Sequence, residues 1–102
     1  MNLLAVLITG CSSGIGRDIA FELWKRGYTI FASCRQQQDL SRLNEFVKGR
    51  PGARRFIPIL LDVTSRESIH AAKLEVNGML EKLDVRLHAV VNNAGLFTVA
   101  TV

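Results

Sequence analysis

At 102 residues, with 48% hydrophobic and 22% charged positions, the chain has the composition of one ordinary globular domain with a single core. Its net charge of +4 comes from 13 basic against 9 acidic residues, and the one dense basic stretch, residues 48–55, lacks the interleaved aromatics of a nucleic-acid surface, so it reads as a solvated loop and nucleic acid is set aside as a partner. The two cysteines, Cys11 and Cys34, have neither zinc-site spacing nor the number of a disulfide framework, and no stretch reaches the roughly 18 apolar residues of a membrane span, so no metal is expected and the cytoplasm is the expected setting.

Residues 3–8 are apolar at every position, as in a strand buried on both faces of a parallel sheet. They lack the basic flank and cleavage site of a signal peptide and run directly into Thr9-Gly10-Cys11-Ser12-Ser13-Gly14-Ile15-Gly16. Three glycines within seven residues let the backbone take positive φ angles and let a ligand approach where a Cβ would block it. The spacing, Gly10-x3-Gly14-x-Gly16, differs from the G-x-G-x-x-G fingerprint, and a bare glycine turn is often loop geometry alone; the strand before it and the helix after it favour a pyrophosphate cradle. The helix is expected to begin at Gly16, to bury Ile15, Ile19, Ala20 and Leu23, and to stop at Gly27.

Residues 28–33 give a second strand and residues 37–48 a second amphipathic helix on Leu40, Leu43 and Val47, closed by Gly49. A third strand follows at residues 56–61, where Pro58 suits a sheet edge. Thr64 and Glu67 form a capping-box pattern, with Thr64 as N-cap of a third helix carrying Ile69, Ala72, Val76, Leu80 and Leu83 on one side. A fourth strand at residues 87–91 ends in Asn92-Asn93-Ala94-Gly95. The pattern βαβαβαβ predicts an α/β fold: a doubly wound parallel sheet of Rossmann type in the spatial order 3-2-1-4, truncated after the fourth strand. The outer edge of that strand is then unpaired, which predicts a marginal domain prone to association. Ligands of such sheets bind at the carboxyl ends of the strands where the winding reverses, and both the Gly10–Gly16 and the Asn92–Gly95 turns lie there.

Taken in order, TGCSSGIG after the first strand, Asp62-Val63 after the third and Asn92-Asn93-Ala94-Gly95 after the fourth resemble the N-terminal signatures of the short-chain dehydrogenase/reductase family, and LDVTSRESI and LHAVVNNAG look most like its retinol and hydroxysteroid dehydrogenase branch. The resemblance implies that Gly10, Ser12, Ser13, Gly14, Ile15 and Gly16 wrap the adenosine phosphates of a nicotinamide dinucleotide. It implies that Asp62 and the Val63 amide meet the adenine, and that Asn92, Ala94 and Gly95 line the ribose side. The plainer readings are a helix-approach residue for Asp62 and turn residues for Asn92 and Asn93. At the end of the second strand an acid would suit the 2′-hydroxyl of NAD, whereas Arg35 suits the 2′-phosphate of NADP, which is therefore the expected cofactor; Ser13 lacks the basic side chain many NADP-preferring relatives carry there.

The family's catalytic Tyr-x-x-x-Lys is missing: the only tyrosine is Tyr28, and four residues on stands Ala32. His70 and His88 read as surface or core residues, and no catalytic residue is assigned. Residues 1–102 are thus expected to be a dinucleotide-binding domain incomplete at its C-terminus. The longer parent is expected to be a homo-oligomeric oxidoreductase interconverting an alcohol and a carbonyl on a small lipophilic substrate such as a steroid or retinoid. The other classes open are a non-catalytic nucleotide-binding or subunit-pairing short form and another doubly wound nucleotide binder such as a methyltransferase. A P-loop is excluded because no Gly-Lys-Ser/Thr follows the turn.

Overall fold

The computed structural model describes residues 3–93 and the backbone of residues 98–101; Ala94 and Gly95, expected at the site, lie outside the described residues. The elements run β1 (Leu4–Ile8), α1 (Gly14–Lys25), β2 (Thr29–Cys34), α2 (Gln37–Val47), β3 (Phe56–Leu60), α3 (Arg66–Leu83), β4 (Arg86–Asn92) and β5 (Thr98–Thr101), with a single 3-10 turn at Ala53–Arg55. They form one sheet in the order β3-β2-β1-β4-β5. β1 pairs in parallel with β2 and with β4, and β2 with β3, which gives the doubly wound arrangement expected from the sequence.

Side-chain alternation along the strands builds two cores. Ile30, Ala32 and Cys34 of β2 pack with Ile8, Ala20, Leu43 and Val47 on the side of α1 and α2, while Phe31 packs with Ala5, Ile59, Ala72 and Val76 on the side of α3. Covered on both faces, β2 is buried at all of its positions. β3 lies at the edge, and there Pro58 needs no donor on its open side. Between Ala5↔Leu87 and Val6↔Ala89 the register slips by one, leaving His88 as the bulged residue, exposed.

Four expectations are corrected. The edge of β4 is not open, because β5 pairs with it antiparallel, from Asn92↔Thr98 to Ala89↔Thr101. Only five residues separate the two strands, enough for a hairpin but too few for a parallel crossover of about a dozen, and Thr-Val-Ala-Thr suits a strand. The association argued from an open β4 edge loses its basis, and the sheet does not stop at its fourth strand. Second, α1 begins at Gly14 rather than Gly16. One turn back from buried Ala20 lies Gly16, so Gly16 faces the core and Ile15, 64% exposed, does not. Third, the N-cap of α3 is Ser65, whose Oγ accepts from Ser68 N at 3.1 Å; Thr64 is turned to another partner. Fourth, Tyr28 precedes β2 and is half-buried rather than inside the strand.

The basic loop at 48–55 is also more than solvated charge. Trp24 Nε1 donates to the Gly52 carbonyl at 2.7 Å, and Arg55 Nη1 donates to the carbonyls of Trp24 and Tyr28, both at 3.1 Å. These bonds pin the loop to the end of α1 beside the Phe21–Phe56 ring stack. Among the described residues no helix is long and apolar enough to cross a membrane.

Candidate functional site

The carboxyl ends of β1, β2, β3 and β4 open on one side of the sheet, and the ladder carries on past the strands to shape that mouth. Thr9 N donates to the Val91 carbonyl at 3.0 Å, Cys11 N to Ser33 at 2.9 Å and Leu61 N to Cys34 at 2.8 Å. The glycine turn therefore leaves β1 held from both sides. Thr9 ties it to the end of β4: its hydroxyl donates to Asn92 Oδ1 at 3.0 Å and accepts from Asn93 N at 2.9 Å. Asn93 Nδ2 in turn donates to the Gly10 carbonyl at 3.3 Å. Thr9 and Asn93 were not among the residues expected to make the site. The sequence signal was available in a Thr opening the turn and an Asn pair closing the fourth strand, but only the pairing of β1 with β4 brings them together.

Within the turn, two glycines are needed for different reasons. Gly14 has φ +64°, a left-handed conformation that side chains rarely adopt, and a Cβ there would meet no protein atom within 4 Å. That open space borders the start of α1. Gly16 has ordinary helical backbone, but a Cβ on it would overlap the Gly10 carbonyl oxygen and stand 2.6 Å from Asn93 Nδ2. Its bareness lets the helix start press against the turn and the Asn93 strap.

That helix start leaves its donors without a side-chain cap. Ser13 is its N-cap by position, yet its side chain accepts no capping hydrogen bond, and the first turn holds no acidic residue. The leading N–H groups and the positive dipole end are thus left to whatever enters the turn. Ser12, Ser13, Gly14 and Ile15 are exposed around it. A groove of about 460 Å³ runs from Ser12 between α1 and α2, past Arg17, Asp39 and Arg42. On the other side a cavity of about 470 Å³ opens between the sheet and α3, with Thr9, Val63 and Asn92 at its polar end and Leu7, Leu61 and Val90 deeper in.

Arg35 stands exposed just past β2, and Asp62 just past β3. The Asp62 carboxyl is held below its ordinary value chiefly by hydrogen bonds from Thr64, hydroxyl first and then amide, with the charge of Arg35 adding to the effect. Val63 beside it is exposed. Of the residues expected from the sequence, Gly10, Ser12, Ser13, Gly14, Ile15, Gly16, Arg35, Asp62, Val63 and Asn92 all lie at the carboxyl ends of the strands. Tyr28 lies at the amino end of β2, roughly 20 Å away along a six-residue strand. His70 and His88 are exposed.

Cys11 and Cys34 are buried free thiols just beneath this mouth. Cys11 Sγ donates to the Ile8 carbonyl at 3.2 Å. Burial first, and the neighbouring Cys34 second, push the Cys11 thiol up to about 12; burial and the charge of Asp39 push Cys34 to about 11. Since the unfolded chain gives up these protons near the ordinary value of 9.0, the folded state binds more protons above it, and stability is expected to fall as pH rises from about 9 toward 12. Chemical denaturation across that range checks the slope. A thiol reagent at pH 7 is expected to label neither cysteine until the chain unfolds.

Comparison with known proteins agrees with this geometry. The family model for short chain dehydrogenases matches residues 4–102. A 3beta-hydroxysteroid dehydrogenase from Caenorhabditis elegans is 38% identical over 95 residues, covering 92% of this chain and 24% of that protein. Retinol dehydrogenase 5 from Homo sapiens is 35% identical over 91 residues, covering 89% of this chain and 26% of its own length. The structure of menthone neomenthol reductase from Mentha piperita superposes with a TM-score of 0.76 at 29% identity, covering 94% of this chain and 32% of that one. The chain thus spans about a quarter to a third of the length of these relatives.

Proposed function

The chain belongs to the short-chain dehydrogenase/reductase family of oxidoreductases, and on that premise we propose that residues 1–102 are the cofactor-binding domain of an enzyme that uses NADP(H) to interconvert an alcohol and a carbonyl. One observation carries this reading: an uncapped helix start facing a turn in which Gly14 leaves open space for a pyrophosphate. The nicotinamide, when bound, supplies or accepts the hydride. The protein's part is to bind and orient. The amides of Gly14, Ile15 and Gly16 neutralise the pyrophosphate, and Ser12 and Ser13 flank it. Asp62 accepts from the adenine amine while Val63 N donates to the ring, and Arg35 grips the 2′-phosphate in bidentate fashion. Asn92, with Ala94 and Gly95 beyond the described residues, lines the ribose side. Two free, buried thiols suit a cytosolic setting.

The names of its relatives favour a steroid, a retinoid or another lipophilic substrate for the whole enzyme; that enzyme is proposed to work as a homo-oligomer. For the 102-residue chain taken alone a second reading is favoured by the position of Tyr28, its only tyrosine, at the far end of β2: binding without turnover. Calorimetric titration of the chain with NADPH and with NADH tests both points. NADPH is expected to bind the more tightly and no substrate oxidation or reduction to follow; tighter NADH binding would refute the role of Arg35, and turnover would refute the second reading.

A further inference from the structure

Resting on the cofactor reading above, we infer that Thr64 is a positioning residue for the adenine end of the dinucleotide, holding one oxygen of Asp62 so that the other is left to the ligand. Thr64 gives Asp62 two hydrogen bonds, from its hydroxyl at 2.6 Å and from its amide at 3.0 Å, and both go to Oδ1. Oδ2 makes no hydrogen bond among the described residues, although it lies at the mouth of the sheet. A carboxylate free to rotate would present either oxygen in many orientations; one pinned through Oδ1 presents Oδ2 in a fixed one, and a ligand amine then meets an acceptor already ordered.

The pinning is braced from behind. Asp62 N donates to Ser68 Oγ at 2.8 Å, Ser68 N donates to Ser65 Oγ at 3.1 Å, and Ser65 N donates to the Asp62 carbonyl at 3.0 Å. Asp62 is thereby fixed by backbone and side chain to the first turn of α3. The charged group that bears on its carboxylate is Arg35, from the end of β2; Arg66 and Glu67 in the first turn of α3 are both exposed. An adenine amine that meets Oδ2 therefore finds a carboxylate that is kept ionised and oriented at once. The sequence D-x-T-S-x-x-S at 62–68 serves the ligand as well as the helix.

The test uses the full 102-residue chain and the variants Thr64→Val and Thr64→Ser, with NADPH as the complete ligand and reduced nicotinamide mononucleotide as the ligand without adenine. Thr64→Val removes the hydroxyl and keeps the branch; because Thr64 acts on the ligand only through Asp62, it is expected to weaken NADPH binding roughly three- to tenfold, the scale of one ordinary hydrogen bond. Binding of the mononucleotide should not change, and Thr64→Ser should bind NADPH like the parent. Removing a bond to the ionised form moves the Asp62 carboxyl back up toward its ordinary value, so the acid limb of NADPH binding should shift to higher pH in Thr64→Val alone, read also by ¹³C NMR of the Asp62 carboxyl. Asp62→Asn keeps an acceptor oxygen for Thr64 and replaces Oδ2 by an amide NH₂, so it should lose affinity to a similar degree. Parent-like NADPH affinity and pH profile in Thr64→Val would overturn the inference while leaving the cofactor reading intact; parent-like affinity in Asp62→Asn would overturn the inference together with the adenine role given to Asp62, and leave only the pyrophosphate cradle standing. A folded parent chain that does not bind NADPH would overturn both.

Discussion

Gly16→Ala is expected to destabilise the chain by about 2 kcal/mol and to reduce NADPH affinity by roughly tenfold or more. Alanine ordinarily favours a helix over glycine by about 1 kcal/mol, so a substitution inside α1 would stabilise if there were room for the methyl. Here the added methyl overlaps the Gly10 carbonyl oxygen, a backbone atom that cannot swing aside, and crowds Asn93 Nδ2, which holds that same carbonyl. Relief requires α1 to move away from the turn or the Asn93 strap to break. Either one displaces the helix amides from the phosphate position, so stability and affinity fall together. Gly14→Ala separates the two effects: its methyl meets no protein atom, leaving only the strain of a positive φ, about 1 kcal/mol or slightly more, yet it fills the space the ligand is expected to use. Thermal unfolding paired with calorimetric titration of both variants gives the contrast. A Gly16→Ala protein as stable as the parent would contradict the close approach of helix and turn.

Arg35→Ala is expected to weaken NADPH by roughly 10- to 150-fold while leaving NADH within about a factor of two, since a charge-assisted contact by an exposed side chain contributes about 1.5–3 kcal/mol in all. The side chain is exposed and makes no ion pair among the described residues within bonding distance, so its removal should hardly touch the fold. Its charge also helps keep Asp62 ionised, which predicts a small additional loss for both cofactors at low pH. Titration of parent and variant with the two cofactors reads the difference directly. Equal losses for NADPH and NADH would move Arg35 from the 2′-phosphate to a general electrostatic role.

Much of this arrangement was legible in the chain because the signals were local and periodic. The continuous apolar run of β1, the amphipathic spacing of α2 and α3, and Pro58 on β3 each fix an element or its place in the sheet through contacts a few residues apart. What was missed depended on partners distant in sequence or on competition between neighbours. Gly16 and Ile15 sit side by side at the start of α1, and only the packing of Ala20 against the sheet decides which of them faces inward. Thr64 and Ser65 are both good N-caps; Thr64 loses that role because Asp62, two residues back, offers its hydroxyl a charged acceptor. The strap through Thr9 and Asn93 spans more than eighty residues and exists only because β4 lies beside β1. The antiparallel β5 was hidden for a different reason: four residues of Thr, Val and Ala carry no period of their own, and the open edge of β4 is what gives them a partner.

On the proposed function, the bare junction between β1 and α1 receives the diphosphate of a nicotinamide dinucleotide. The most direct test is ¹⁵N–¹H NMR of the folded chain as NADPH is added. The amides of Gly14, Ile15 and Gly16 are expected to shift first and furthest, with Val63 following and the loop at 48–55 silent. A folded chain in which those three amides stay in place while others move would contradict it.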